Sequence, residues 1–168
     1  LLNQKEISSK MTRDIDEMEN MLKNYLEFAK SQTQEESKPI NINNFFQDLI
    51  KNFNNKKIKL KMGPEIILIA RKNSLKRCFN NLIQNGISYG ENVYVELSKS
   101  SSRLIVTIED DGPGIPSEEY KNVFKPFYRL DKSRSLNTSG VGLGLSIVED
   151  IINSHGGNIQ LSKSNYKG

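Results

Sequence analysis

Apolar residues recur along the first part of the chain at Ile7, Met11, Ile15, Met18, Leu22, Tyr25 and Ala29, separated by four, four, three, four, three and four positions. An α-helix repeats every 3.6 residues, so this spacing predicts one helix from Leu1 to about Ser31 with a single narrow apolar seam. Lys5, Glu6, Arg13, Asp14, Asp16, Glu17 and Lys23 occupy the positions between, a pattern that leaves the seam in need of a second helix. Residues 31–38, reading SQTQEESK, lose the periodicity and run into Pro39, which marks a linker. The expected division is a helix at 1–31, a linker at 32–38 and a separate domain at 39–168.

Within that domain the period changes repeatedly. Ile40 to Ile42 reads as a short strand, with Asn43 or Asn44 as cap of a helix carrying Phe45, Phe46, Leu49, Ile50 and Phe53. Lys57 to Met62 alternates, which predicts a half-exposed strand, and Ile66 to Ala70 is uniformly apolar, which predicts a buried one after the Gly63-Pro64 break. A helix follows from about Ser74 to Tyr89, with Leu75, Phe79, Leu82 and Tyr89 opposite a polar stripe of Arg77, Asn81, Asn85 and Ser88. Val93 to Leu97 and Leu104 to Ile108 form two strands around a Ser-rich turn. A glycine-rich turn, a long polar loop, a helix from about Leu143 to Ser154 and a strand at Asn158 to Leu161 complete the chain. Strands and helices mix without a regular repeat, so the fold expected is α+β, a two-layer sandwich whose mixed sheet is covered by helices on one face, preceded by the long amphipathic helix.

Length and composition narrow this further. At 168 residues, 36% hydrophobic and 26% charged, the chain is large enough for one core plus an appendage and too apolar for a disordered polymer. Its one cysteine, Cys78, has no internal disulfide partner, which suits a reducing compartment. The net charge of +4 does not concentrate: basic residues are interleaved with Asp and Glu and lack companion aromatics, so a nucleic-acid partner is not expected. The opening residue is Leu1, within a helical pattern, and the chain reads as a piece of a longer protein.

Three polar clusters carry candidate chemistry. Asn81 and Asn85 lie one turn apart on one helix face, and two neutral amide oxygens suit a hard cation such as magnesium. Asp110 stands at a strand end before Asp111-Gly112-Pro113-Gly114, where a fixed carboxylate can accept a hydrogen bond from an exocyclic amine such as that of adenine. Gly140-Val141-Gly142-Leu143-Gly144-Leu145 opens a helix, and backbone amides at such a start can hold phosphate. The glycine spacing is neither a dinucleotide fingerprint nor a P-loop. Before it lie Phe124-Lys125-Pro126-Phe127 and a polar loop of lid-like length, whose near end Phe124 and Phe127 are placed to anchor. Each cluster alone has an ordinary structural explanation.

In this order and at these separations the clusters resemble the N box (Asn81 to Asn85), G1 box (Asp110 to Gly114), F box (Phe124 to Phe127) and G2 box (Gly140 to Leu145) of the histidine-kinase catalytic domain, a GHKL ATPase. The wording of FKPFYRLDKSR, GVGLGLSIV and DIINSHGG is most similar to osmosensor, EnvZ-like kinases. Residues 1–31 resemble the second helix of the dimerisation and phosphoacceptor hairpin. The resemblance implies ATP and Mg2+ as cofactors, with Asn85 and Asn81 at the metal and Asp110 reading adenine. Gly112 and Gly114 would shape the nucleotide wall, Gly140, Gly142, Gly144 and Leu145 would approach the phosphates, and Arg134 would assist from the lid. Two positions depart from the pattern, Gly86 where the family often has Ala and Ser88 where it often has a basic residue, and both put phosphate affinity in question. A further strand is usual after Gly168.

The function implied is transfer of the ATP γ-phosphoryl group to a histidine on an upstream helix and then to an aspartate of a response regulator receiver domain. No catalytic residue is expected within these 168 positions, and His155, in a turn after a helix, reads as structural. The resemblance also implies a homodimer through the helical hairpin and a cytoplasmic portion of a bacterial inner-membrane protein, attached through regions outside this sequence. A degenerate nucleotide-binding scaffold, a phosphatase-supporting module and another GHKL ATPase share many of these features.

Overall fold

A computed structural model describes residues 7–12, 15, 16, 18, 19, 22, 35–53, 57–130 and 142–166. The chain divides into two units, 1–35 and 36–168. In the first, the described residues up to Leu22 are helical, and Ile7, Met11, Ile15, Met18 and Leu22 are all exposed. Tyr25 and Ala29 of the expected seam lie outside the described residues.

The second unit opens with strand β1 (Lys38–Asn41) and runs directly into helix α1 (Ile42–Phe53). The cap is Asn41 rather than Asn43 or Asn44, because its Oδ1 accepts the Asn44 backbone N–H at 3.1 Å. Asn43 instead donates its amide to the Gly63 carbonyl at 3.2 Å. Ile42, Phe45, Phe46 and Leu49 turn inward. Phe46 is fully buried, and its ring centroid lies 4.7 Å from that of Phe79 and 5.4 Å from that of Phe45.

Strands β2 (Ile58–Lys61) and β3 (Ile67–Ala70) follow. The expectation of a buried strand fails at β3, where Ile69 is 71% exposed and Ile67 59%. Among the described residues this strand pairs only with β1, antiparallel, in a two-stranded ladder. Its alternate residues therefore turn away from the core despite their uniform hydrophobicity.

Helix α2 (Lys72–Tyr89) buries Leu75, Cys78, Phe79, Ile83 and Gly86. Burial pushes the Cys78 thiol up to about 12. Leu82 is only half-buried and Tyr89 is exposed, so the inward face differs from the expected set. Tyr89 occupies the last turn, where its carbonyl oxygen meets Gly112 and the side chain points to solvent.

Strands β4 (Val93–Ser100) and β5 (Arg103–Asp110) form an antiparallel hairpin through Ser101-Ser102, with β2 parallel on the other side of β4. Val93, Val95 and Leu97 are buried. The intervening Tyr94 and Glu96 meet Lys59 and Lys61 across the ladder, the Lys61–Glu96 ion pair closing to 2.6 Å. Helix α3 (Gly144–Ser154) packs on α2 and buries Ile147, Val148 and Ile151.

Asn158 to Leu161 forms no strand. Its residues alternate between exposed and half-buried, but alternation governs side chains while a ladder needs backbone partners. The chain there is secured further on, by Ser164 Oγ donating to the Asp110 carbonyl at 3.3 Å, Asn165 N–H donating to Glu109 at 2.9 Å and Tyr166 stacking on Tyr94 at 3.7 Å.

Truncating the ring that joins α1 to α2, Phe46→Ala, leaves a cavity that these rigid neighbours cannot fill. It is expected to cost about 3–5 kcal/mol in urea unfolding.

Candidate functional site

Helix α2 sits unusually close to the sheet at Gly86. A Cβ there would lie 2.8 Å from Val93 Cγ2 and 3.6 Å from Asp110 Cβ. Glycine at this position is thus explained by the approach of helix and sheet, which brings the end of α2 beside the end of β5. Asn85, half-buried, faces the start of α3, where a Cβ on Gly144 would lie 3.9 Å from its Nδ2 and 4.0 Å from its Oδ1. Asn81, one turn earlier, borders a groove of about 310 Å³ together with Asn52, Phe53, Asn80 and Gln84. Among the described residues, neither the Asn81 nor the Asn85 side-chain amide has a hydrogen-bond partner. Ser88 turns back on its own helix, donating to the Gln84 carbonyl at 2.8 Å.

Asp110 closes β5 opposite Val93. Its Oδ1 accepts the Gly112 backbone N–H at 2.9 Å, and among the described residues nothing donates to Oδ2. Gly112 is needed for this turn, because a Cβ would approach both Asp110 Oδ1 and the Tyr89 carbonyl oxygen to 2.7 Å. Gly114 takes φ of 73°, open to glycine without strain. Asp111 points the other way. Its Oδ1 accepts the backbone N–H groups of Glu91 at 2.7 Å and Asn92 at 2.8 Å, and its Oδ2 accepts the Asn92 side-chain amide at 2.7 Å. These donors, the Asn92 side chain foremost, hold the Asp111 carboxyl down at about 2.

The segment after Gly114 is braced internally. Glu119 accepts from the Tyr128 hydroxyl at 2.5 Å and from the Asn122 amide at 2.8 Å. The Tyr128 bond is the main reason that Glu119 lies below the usual carboxylate range, and Tyr128 rises in turn. Phe127 does not anchor the segment through its ring, which is 61% exposed. Its backbone does so instead: at φ of 65°, Phe127 N–H donates to the Gly142 carbonyl at 2.9 Å. Gly142 answers with φ of +77°, and a Cβ on it would come within 2.8 Å of the Phe127 carbonyl carbon. Val123 is the buried side chain here, with Phe124 half-buried. Leu143 precedes α3 and Leu145 lies in its first turn, whose N–H groups have no partner within the helix. Arg134 and Gly140 lie outside the described residues.

His155 is held at the far end of the same two helices. Nδ1 lies 2.7 Å from the Ile151 carbonyl oxygen, to which it donates, and Nε2 accepts the Arg71 backbone N–H at 3.2 Å. The Arg71 guanidinium also donates to Ser154 Oγ at 2.6 Å. Both ring nitrogens are therefore engaged in joining the start of α2 to the end of α3.

Residues 70–168 match the family described as histidine kinase-, DNA gyrase B-, and HSP90-like ATPase, and the chain belongs to that family. It is 29% identical over 163 residues to the sensor histidine kinase GtrS of Pseudomonas aeruginosa, covering 96% of this chain and 34% of that protein. To the sensor protein RstB of Escherichia coli it is 31% identical over 172 residues, covering 96% of this chain and 39% of that one. The chain thus spans little more than a third of the length of these curated relatives. Its structure is similar to the histidine kinase domain of the Escherichia coli osmosensor EnvZ, at a TM-score of 0.60 and 29% identity over 80% of this chain and 84% of that one. The mixed α+β architecture is that of a histidine kinase ATPase domain.

Sequence patterns pointed to Asn85, Asp110 and the glycines, but assigned nothing to Asp111, Glu119 or Arg71. Their partners are 19, 9 and 84 positions away, and no local periodicity links such pairs.

Two consequences are measurable. Gly142→Ala meets both the positive φ and the Phe127 backbone and is expected to lower stability by about 1–3 kcal/mol in urea unfolding, whereas Gly144→Ala, whose Cβ would meet only the Asn85 amide at ordinary contact distance, stays within about 0.5 kcal/mol. For Asp111, a folded value of about 2 against an ordinary 3.8 means its contribution is complete above pH 3.8 and is lost as pH falls toward 2. The stability difference between the wild type and Asp111→Asn should therefore shrink across that window, followed by urea unfolding at successive pH values.

Proposed function

We propose that this chain binds ATP with magnesium between the end of α2, the Asp110 turn and the start of α3, and that it is the catalytic part of a two-component sensor histidine kinase. The observation that carries the reading is Asp110: one carboxylate oxygen is committed to Gly112 N–H, and the other is left to accept the exocyclic amine of adenine. Gly112 and Gly114 keep the turn narrow for the base. Asn85, with Asn81, supplies neutral oxygens to the cation, and these amides, unpartnered among the described residues, fit a hard ion. The described residues contain no group of three or more His, Cys, Asp or Glu able to hold a metal, and phosphate oxygens and water would complete the coordination. Bound magnesium would neutralise the phosphates during transfer. Gly142 and Gly144 let the α3 amides approach those phosphates, with Leu145 in the first turn and Arg134 and Gly140 contributing from the lid.

The phosphoryl acceptor is a histidine outside residues 1–168. The chain has one histidine, and both nitrogens of His155 are engaged. In the intact protein the phosphoryl group passes on to an aspartate of a response regulator. Residues 1–31 act as the second helix of a dimerisation hairpin, their exposed apolar seam supporting a homodimer, and residues 32–38 link it to the ATP domain at 39–168. The whole is the cytoplasmic portion of a bacterial inner-membrane protein. A nucleotide-binding scaffold without transfer is favoured by one feature: Ser88 bonds its own helix and brings no positive charge to the phosphates.

Titrating ATP into the chain by calorimetry, with and without magnesium, tests the reading. Asp110→Asn should weaken ATP about tenfold to hundredfold, the loss of one hydrogen bond to a charged acceptor. Asn85→Ala should remove most of the magnesium enhancement and little of the magnesium-free affinity. Radiolabelled ATP should leave no stable label on the chain itself, and full magnesium enhancement in Asn85→Ala would move the metal site elsewhere.

A further inference from the structure

Asp111 follows the base-reading carboxylate but is turned away from it. Both of its oxygens are consumed by two residues just beyond α2: Glu91 and Asn92 through backbone N–H groups, and Asn92 again through its side-chain amide, at 2.7 to 2.8 Å. The backbone adds a fourth tie, Asp111 N–H to the Asn92 carbonyl at 3.4 Å. Gly90 is pinched between the Asp111 carboxylate and the Asp110 Cβ, since a Cβ there would lie 2.9 Å from Asp111 Oδ1 and 3.0 Å from Asp110 Cβ. The clasp therefore joins the exit of the helix carrying Asn81 and Asn85 to the peptide unit that sets the direction of the Asp110 side chain.

Geometry of this kind decides specificity. A carboxylate discriminates adenine from hypoxanthine because the first presents an N–H donor where the second presents a carbonyl oxygen. The contrast is large only if the carboxylate is held in line with that edge, since hydrogen bonds weaken steeply with misalignment. Asp110 has two side-chain torsions and one internal bond, to Gly112. The ladder pairing with Val93 and the Gly86 contact seat its Cα beside α2, and the Asp111 clasp holds the turn that follows, on which the Gly112 N–H and the line of the Asp110 carboxylate depend.

We infer that Asp111 is a positioning residue for base selectivity, holding the turn after Asp110 in the orientation at which the outer oxygen of Asp110 meets the adenine amine. This rests on the nucleotide site proposed above. It adds that selectivity for the base depends on a side chain that never touches it.

The experiment compares ATP with inosine triphosphate by calorimetry on the wild-type chain, Asp111→Ala and Asp111→Asn. Wild type should prefer ATP by about tenfold or more. Asp111→Ala loses every side-chain bond of the clasp and should bring the ATP-to-ITP ratio to within about threefold of unity, with inosine triphosphate affinity little changed. Asp111→Asn keeps an oxygen for the Glu91 and Asn92 N–H groups, and a flip of the Asn92 amide restores the remaining bond, so it should retain most of the preference. A merely stabilising role would lower the folded fraction and leave the ratio of affinities per folded molecule unchanged. An unchanged ratio in Asp111→Ala overturns this inference alone, while failure of the wild type to bind ATP overturns the proposed site itself. If Asp111→Ala does not fold, Asn92→Ala, which removes only the Oδ2 bond, must show a partial loss of preference, and a full wild-type ratio there refutes the role.

Discussion

The closest approach that matters in this molecule is between Gly86 of α2 and Val93 of β4. A methyl group on residue 86 would sit 2.8 Å from Val93 Cγ2, well inside contact distance, so the helix lies lower on the sheet than a longer side chain permits. Much of the polar arrangement follows from that seating. It brings Asp110, opposite Val93 in the ladder, next to the last turns of α2, and it turns Asn85 toward the start of α3. The same glycine that departs from the family's common alanine is thus a packing solution, paired with a β-branched residue on the strand beneath it.

A second constraint operates through backbone alone. Phe127 and Gly142 both adopt positive φ and share a hydrogen bond, which ties the two ends of the stretch 128–141 together. The exposed Phe127 ring contributes nothing to this, and the hydrogen-bonded Glu119, Asn122 and Tyr128 side chains brace the near side. That bond fixes the backbone immediately before α3, the helix start proposed to approach phosphate. At the opposite end of α2 and α3, His155 and Arg71 perform the equivalent task with side chains.

Membership in the ATPase family and likeness to the EnvZ kinase domain agree with a division of labour visible in the residues themselves. In the proposed site, neutral amides, one outward carboxylate oxygen and the amides of a helix start would hold the nucleotide and its counter-ion, and none of them is a nucleophile. Phosphoryl transfer depends on alignment and charge neutralisation, which such a site can supply to an acceptor presented by another element.

Local pattern determined a good deal of this protein. The periods of Phe45 to Leu49, Val93 to Leu97 and Ile147 to Ile151 reported their elements to within a few residues, because helix and strand spacing is written in which positions are apolar. The ordered clusters around Asn85, Asp110 and Gly144 marked the family. Tertiary structure decided what hydrophobicity cannot encode: that apolar Ile67 and Ile69 face solvent on a two-stranded ladder, that Asn41 rather than its neighbours caps α1, and that residues 158–161 stay out of the sheet. It also decided the partners of Asp111, Glu119 and His155. A periodic pattern states which side of an element is buried, whereas hydrogen bonds between distant polar groups, and the sheet edge a strand meets, depend on coordinates that exist only once the chain has folded.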